Sequence, residues 1–306
     1  MSDSVFLGVG QSILSSQGIY YRNIQLLGVG GNAATFLCSA TNGLYQGNLF
    51  ALKIFRKRSQ IDRRESFLRE VNFLQSCEHP SIMRVFDSGV FYDNPFVVAE
   101  YCPKTLANVI NEGASTLVEK LTYTLNLLSA LNYLSNLNPQ IVHRDIKPEN
   151  IFLKGNCCIL GDFGLMKVLD GNLEIDREVF KESTGVGMPY YYRTPDLVNY
   201  ARQIAPLTVK SDIFQLGLVI TELFTGHNPS KKLMYGDDIY SQVELEPNIY
   251  IPVEEGDFGR RIYGQLRTML SFDPNERPSA SNLLSYWQKL FNDVVISLSG
   301  GGGRIF

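Results

Sequence analysis

Short runs of β-branched and aromatic residues dominate the chain from Tyr20 to Tyr101. Ile24–Leu27, Ala34–Ser39, Leu49–Phe55, Ile82–Phe86 and Phe96–Ala99 each read as a strand. One stretch changes period. Phe67, Val71 and Leu74 recur at helical spacing while Arg64, Glu65, Arg69 and Glu70 take other faces, so Arg63–Cys77 is predicted as a helix. After Cys102-Pro103 the apolar positions from Leu117 through Leu121, Leu125 and Leu128 to Leu137 form a helical stripe. Further helices are predicted at 209–225, 259–271 and 279–295. The pattern is that of an α+β, bilobal chain, a small β-rich N-lobe and then a larger helical C-lobe, with the boundary near Glu100–Lys104. The expected layout is an N-terminal extension over 1–19, a domain over 20–295 divided into 20–101 and 102–295, and a Gly-rich tail over 296–306.

Composition narrows the class. With 44% hydrophobic and 19% charged residues the chain reads as an ordinary globular protein. Its net charge of −3, from 28 basic and 31 acidic side chains, gives no reason to expect nucleic acid or an anionic membrane as partner. The five cysteines are odd in number, fit no C-x-x-C spacing and include the adjacent pair Cys157-Cys158, so reduced thiols are expected. Met1–Ser4 lacks a basic signal-peptide start. No stretch approaches the roughly 18 apolar residues that span a bilayer. The most apolar run, Ile213–Phe224, is interrupted by Gln215 and Glu222 and suits a buried helix. The expected location is cytoplasmic.

Three stretches carry chemistry. Leu27-Gly28-Val29-Gly30-Gly31-Asn32-Ala33-Ala34-Thr35 is glycine-rich, and glycine lets backbone amides approach a polyphosphate closely. A tight hairpin also needs glycine. A dinucleotide fingerprint would want a helix next, whereas strand follows here, and no G-x-x-x-x-G-K-[ST] loop occurs. Lys53, in Ala51-Leu52-Lys53-Ile54, sits inside an apolar strand, where a cation needs anionic partners; Glu70 and a phosphate are the candidates. The plainer reading is a lysine on the solvent face of an edge strand. The third stretch is Ile141-Val142-His143-Arg144-Asp145-Ile146-Lys147-Pro148-Glu149-Asn150, followed by Ile159-Leu160-Gly161-Asp162-Phe163-Gly164.

In this order, with Lys53 and Glu70 upstream, the chain resembles the protein kinase superfamily from about Tyr20 to Phe291. The compact chain would also suit a bacterial kinase of the eukaryotic type. The resemblance implies a bilobal kinase fold and transfer of the γ-phosphate of ATP, with Mg2+, to serine or threonine of protein substrates. It implies that Asp145 orients the acceptor hydroxyl and takes its proton, Lys147 neutralises γ-phosphate charge, and Lys53, steadied by Glu70, holds the α- and β-phosphates. Asn150 and Asp162 are the implied metal ligands. Contacts to ATP are expected from Leu27, Gly28, Gly30, Thr35, Ala51, Lys53, Ala99, Glu100, Cys102 and Phe152, with Ala99 as gatekeeper. Further landmarks resemble the family's structural anchors. They are His79-Pro80, Thr194-Pro195-Asp196 closing the activation segment, Asp212 bonding the catalytic loop, and Arg277 pairing with the acid at 196.

The chain departs from the family's pattern at several points. Ala33 stands for the third glycine, Thr35 for a valine, and Asp196 for a longer glutamate, which puts its reach to Arg277 in question. Met188 stands where a threonine usually bonds the catalytic Asp and Lys, and methionine donates no such bond. One extra residue precedes Thr194. Thr184, four residues before Met188, is the expected autophosphorylation site, with Ser183 second and Arg144 the phosphate-capturing cation. Two other readings compete: a pseudokinase scaffold, and a kinase-like enzyme acting on a small molecule. Intact Lys53, Asp145, Asn150 and Asp162 speak against the first, and the Thr194–Asp196, Asp212 and Arg277 landmarks against the second. Lys147 favours serine and threonine over tyrosine as acceptors.

Overall fold

The structure is a computed structural model that describes residues 6–56, 61–169, 191–231, 241–246 and 256–300. Ser183, Thr184 and Met188 therefore lie outside the described residues, as does the stretch up to residue 190 that bears on the extra residue expected before Thr194. The chain divides into two compact units, Met1–Pro103 and Lys104–Phe306. The first is strand-rich and the second helical, as the hydrophobic pattern predicts.

The first unit is a six-stranded antiparallel sheet with one helix. The strands are β1 (Ser12–Leu14), β2 (Tyr20–Val29), β3 (Ala33–Ala40), β4 (Leu49–Phe55), β5 (Val85–Phe91) and β6 (Asn94–Glu100), in the order β1-β2-β3-β4-β6-β5. Alternation along each strand separates two cores. Phe50, Leu52 and Ile54 of β4 join Phe36, Phe96 and Val98 on one face. Phe55 and Val97 point the other way and pack with Phe67 and Val71 of helix α1 (Ile61–Ser76). The buried residues of α1 are Phe67, Glu70, Val71 and Leu74, a single stripe at i, i+3, i+4 and i+7.

Two parts of this unit differ from the pattern's expectation. Residues 6–19, expected ahead of the domain, are woven into it. Ile13 pairs with Tyr21, and Leu7 and Ile13 lie buried in the Phe36 core. The strand expected at Ile82–Phe86 begins only at Val85 and runs to Phe91. Ile82 and Met83 are buried in the segment before the strand, where Ile82 makes only an isolated bridge, so their hydrophobicity reports burial more than extended strand pairing. The strand proper contains Asp87, Ser88 and Gly89, which carry no strand signal. Asp87 is buried and accepts a hydrogen bond from the Tyr21 hydroxyl at 3.2 Å.

The second unit is built around α5 (Lys210–Thr225), buried on every side from Ser211 to Thr221. Gly217 permits this crowding, since a Cβ there would meet Leu270 Cδ2 at 2.9 Å. The helices preceding α5 are α2 (Leu106–Glu112), α3 (Leu117–Asn136) and α4 (Pro195–Ala201); α6 (Gly256–Met269) and α7 (Ala280–Gly300) follow it. Helix α7 packs along α3 and continues to Gly300, five residues past the expected end of the domain at 295. Two short sheets frame the loop that holds the candidate catalytic residues. One has β7 (Lys104–Thr105), β9 (Ile151–Lys154) and β10 (Cys157–Leu160); the other pairs β8 (Ile141–Val142) with β11 (Lys167–Val168). Among the described residues no helix is long and apolar enough to cross a membrane.

Candidate active site

In the first unit the sheet register brings the sequence-predicted residues into rows. Gly28 pairs with Thr35, Thr35 with Lys53, and Ala51 with Ala99. The glycine stretch is the β2–β3 hairpin, closed by a bond from Gly30 N–H to the Ala33 carbonyl at 2.8 Å. None of Gly28, Gly30, Gly31 or Ala33 has positive φ. A Cβ at Gly28 or Gly31 would meet nothing within 4 Å. Neither backbone conformation nor internal crowding therefore requires glycine at Gly28 and Gly31; what their bareness provides is room for another molecule to approach the backbone.

Lys53 comes from β4 and points to the α1 face, because residues at even separation from Phe55 share its side of the sheet. Its Nζ lies 3.0 and 3.3 Å from the two carboxylate oxygens of Glu70. Glu70 sits in the middle of the apolar stripe of α1 and is buried, while the Lys53 side chain is 26% exposed. The pair thus leaves the cation accessible and its counter-ion fixed. The N–H of Glu100 donates to the Arg84 carbonyl at 3.0 Å, so this group is already committed inside the unit.

In the second unit the loop from His143 to Asn150 connects β8 to β9. Its backbone is held by the carboxylate of Asp212 on α5, which accepts from His143 N–H at 2.7 Å and Arg144 N–H at 3.0 Å. Burial pushes the Asp212 carboxyl up to about 7, while those two amides pull the other way. His143 is fully buried, and burial pushes its imidazole down to about 4. Its Nδ1 accepts from the Asp145 N–H at 3.2 Å, which puts the ring proton on Nε2, donating to the Gly161 carbonyl at 3.1 Å. The ring stacks edge-on against Phe163 at 4.4 Å between centroids. A neutral histidine of fixed tautomer thereby joins the loop to the chain just before Asp162.

The Asp145 carboxylate is held from two sides. Lys147 Nζ lies 3.0 and 2.9 Å from its oxygens, and Asn150 Nδ2 donates to Oδ2 at 2.7 Å and to the Asp145 carbonyl at 2.9 Å. Burial pushes the carboxyl up to about 6, against the opposing pull of Lys147. Such a group is a carboxylate at neutral pH and a better proton acceptor than an exposed aspartate. Both Arg144 (φ 70°) and Asp162 (φ 58°) adopt left-handed backbone, a conformation held only where the surroundings over-determine it. The Arg144 guanidinium donates to the carbonyls of Leu165 and Met166.

Asn150 turns its amide nitrogen to Asp145, which leaves the amide oxygen as the atom a cation would meet. Gly161 N–H donates to the Asn150 carbonyl at 2.9 Å, tying the chain before Asp162 to Asn150. An exposed carboxylate and one amide oxygen are hard donors, too few to enclose an ion. That set fits Mg2+, which keeps water and phosphate among its ligands. No cluster of three or more His, Cys, Asp or Glu ligands occurs among the described residues. Phe152, in β9, pairs in register with Thr105.

The shortened acid at 196 does reach its partner. Arg277 Nη1 lies 2.6 Å from Asp196 Oδ2, both side chains buried. The guanidinium also donates to the carbonyls of Ser271, Lys210 and Phe272 and lies over the Phe214 ring. Three contacts were not foreseen in the sequence: the carboxamide of Gln215 against the catalytic loop, the Tyr192 hydroxyl against Glu222, and Asn126 accepting from Cys158 N–H at 3.0 Å. Only Gln215 and Glu222 left a trace, as polar interruptions of an apolar helix.

Comparison with known proteins agrees with this geometry. The protein kinase domain family matches residues 21–287. The serine/threonine-protein kinase Nek5 of Homo sapiens is 30% identical over 74% of this chain and 31% of its own length. The probable serine/threonine-protein kinase nek2 of Dictyostelium discoideum is 28% identical over 86% of this chain and 62% of its own. The cell cycle serine/threonine-protein kinase CDC5/MSD2 of Saccharomyces cerevisiae is 27% identical over 90% and 37% respectively. The chain spans less than two thirds of the length of each.

Proposed function

The chain belongs to the protein kinase domain family, and on that premise we propose that it transfers the γ-phosphate of ATP to serine and threonine hydroxyls of protein substrates. The observation that carries the reading is the Asp145 carboxylate, fixed by Lys147 and Asn150 in a loop that Asp212 anchors to α5. In this reading Asp145 orients the acceptor hydroxyl and accepts its proton, and Lys147 neutralises charge on the transferred group. Lys53, held by Glu70, takes the α- and β-phosphates, which approach the backbone of the hairpin along Gly28 and Gly30. The purine edge falls to the Glu100 carbonyl and the Cys102 backbone, with Leu27, Thr35, Ala51, Ala99 and Phe152 as its apolar surroundings. Asn150 and Asp162 are the ligands for Mg2+, which neutralises phosphate charge when bound. Autophosphorylation at Thr184, with Ser183 second, belongs to the same proposal; its support is the offset from Met188 in the sequence and the presence of a cation, Arg144, next to Asp145. A cytoplasmic location belongs to the same reading; its support is the odd number of cysteines and their lack of any C-x-x-C spacing.

Incubating the protein with γ-labelled ATP, with Mg2+ and with chelator, tests the proposal. Phosphoserine and phosphothreonine on added protein, lost with chelator, is the expected result. ATP binding without transfer would make the chain a scaffold, and transfer only to small molecules would replace the substrate class.

A further inference from the structure

Gln215 is fully buried on α5, one turn beyond Asp212, in a helix otherwise suited to the core. A carboxamide in such a place is costly unless its donors and acceptor are all satisfied. Here they are. Its Oε1 accepts from Ile146 N–H at 3.1 Å. Its Nε2 donates to the Arg144 carbonyl at 2.9 Å and to the Tyr192 carbonyl at 2.9 Å. The partners fix which end of the amide is which. A flipped group would set its oxygen against two carbonyls and its nitrogen against an N–H.

Arg144 and Ile146 flank Asp145. One side chain therefore grips both peptide groups on either side of the carboxylate, at the point where Arg144 holds a left-handed backbone. Asp145 has its own N–H bonded to the His143 ring and its carbonyl to Asn150. With Gln215 in place, the peptide group preceding Asp145 and the one following it are each bonded at both ends. The third bond goes elsewhere in the chain, to Tyr192, whose hydroxyl is hydrogen-bonded to Glu222, two turns further along the same helix. Two residues on, Thr194 caps α4. The same amide nitrogen thus serves the loop carrying Asp145 and the segment that enters α4.

We propose that Gln215 is a positioning residue for phosphoryl transfer, setting the orientation of Asp145 and locking it to the chain at Tyr192. The proposal rests on the kinase reading for its effect on turnover but not for its effect on the loop. Two variants test it in the full chain. Gln215→Glu keeps shape and acceptor but presents a donor-free carboxylate to two carbonyls, and Gln215→Met removes all three bonds at similar volume. Two quantities are read: amide hydrogen exchange of 143–146 and 191–194 against α1, and kcat with KM for ATP on a casein substrate. Loss of an orienting contact that acts on the chemical step predicts kcat down by at least about tenfold with KM for ATP within about twofold. Exchange should rise in 143–146 and 191–194 and stay unchanged in α1. Parent-like kcat in a folded variant overturns the proposal, as does exchange that rises evenly through the second unit. Failure of both variants to fold also overturns it, making Gln215 a core residue alone. A parent without transfer activity defeats the kinase reading instead, and the exchange pattern then decides the positioning on its own.

Discussion

Ala99 and Ala51 are partners across β4 and β6, both partly exposed, so two methyl groups are the whole side-chain bulk of that cross-strand pair. Leu74 and Met83 are buried in the same unit, and either the core closes over the rung or space remains beside a bound purine. With the space open, an ATP analogue bearing a bulky aromatic group gains roughly 2 kcal/mol, some thirtyfold in affinity. Ala99→Met should remove that gain and leave ATP affinity nearly unchanged; equal analogue binding by both proteins would show the space closed. Asp196 and Arg277 pose a different question. Removing the acid leaves a buried guanidinium without its counter-ion, so Asp196→Ala should destabilise the protein by roughly 3–5 kcal/mol. Denaturant unfolding measures this, and a loss under about 1 kcal/mol would mean the three backbone carbonyls suffice for Arg277. The types and spacing at Asp145, Lys147, Asn150 and Asp162 were legible because charge chemistry dictates them. The role of Gln215 was not, since a polar residue in an apolar run says only that partners exist, and those partners are backbone groups of remote segments.

Among the elements, periodic segments with marked ends were the most legible. Helix α3 starts where Thr116 and Glu119 form a reciprocal cap. Thr116 Oγ1 accepts from Glu119 N–H at 3.2 Å, and Glu119 Oε2 accepts from Thr116 N–H at 2.8 Å. Thr116→Ala should cost about 1 kcal/mol and lower Tm by a few degrees. An unchanged Tm would show that burial of Leu121, Leu127 and Leu128 alone sets this helix. Helix α1 was read to within two residues at each end. Strand β5 was misplaced because its hydrophobic preface, Ile82 and Met83, is buried ahead of the β5–β6 ladder, which starts at Val85. Its turn gave no help either. Tyr92 and Asp93 both take positive φ in a two-residue hairpin, where Asn-Gly would be the recognisable pair. The segment 6–19 escaped notice for a related reason. A three-residue strand, β1, is too short for a periodic signal, and its place is fixed by pairing with Tyr20–Arg22.

At the scale of the whole molecule, the division into a sheet-based unit and a helix-based unit follows from the change of period after Cys102-Pro103, and the contacts divide the chain at Pro103. Each unit holds its own part of the machinery by internal bonds, Lys53 to Glu70 in the first and Asp145 to Lys147 and Asn150 in the second. The central claim is that the Asp145 carboxylate carries acceptor orientation and proton transfer. Single-turnover phosphorylation of a protein substrate by Asp145→Asn, beside the parent and with ATP affinity measured in parallel, tests it most directly. The account predicts unchanged folding and ATP affinity with transfer slowed by at least about a hundredfold. Transfer at the parent's rate by Asp145→Asn would contradict it.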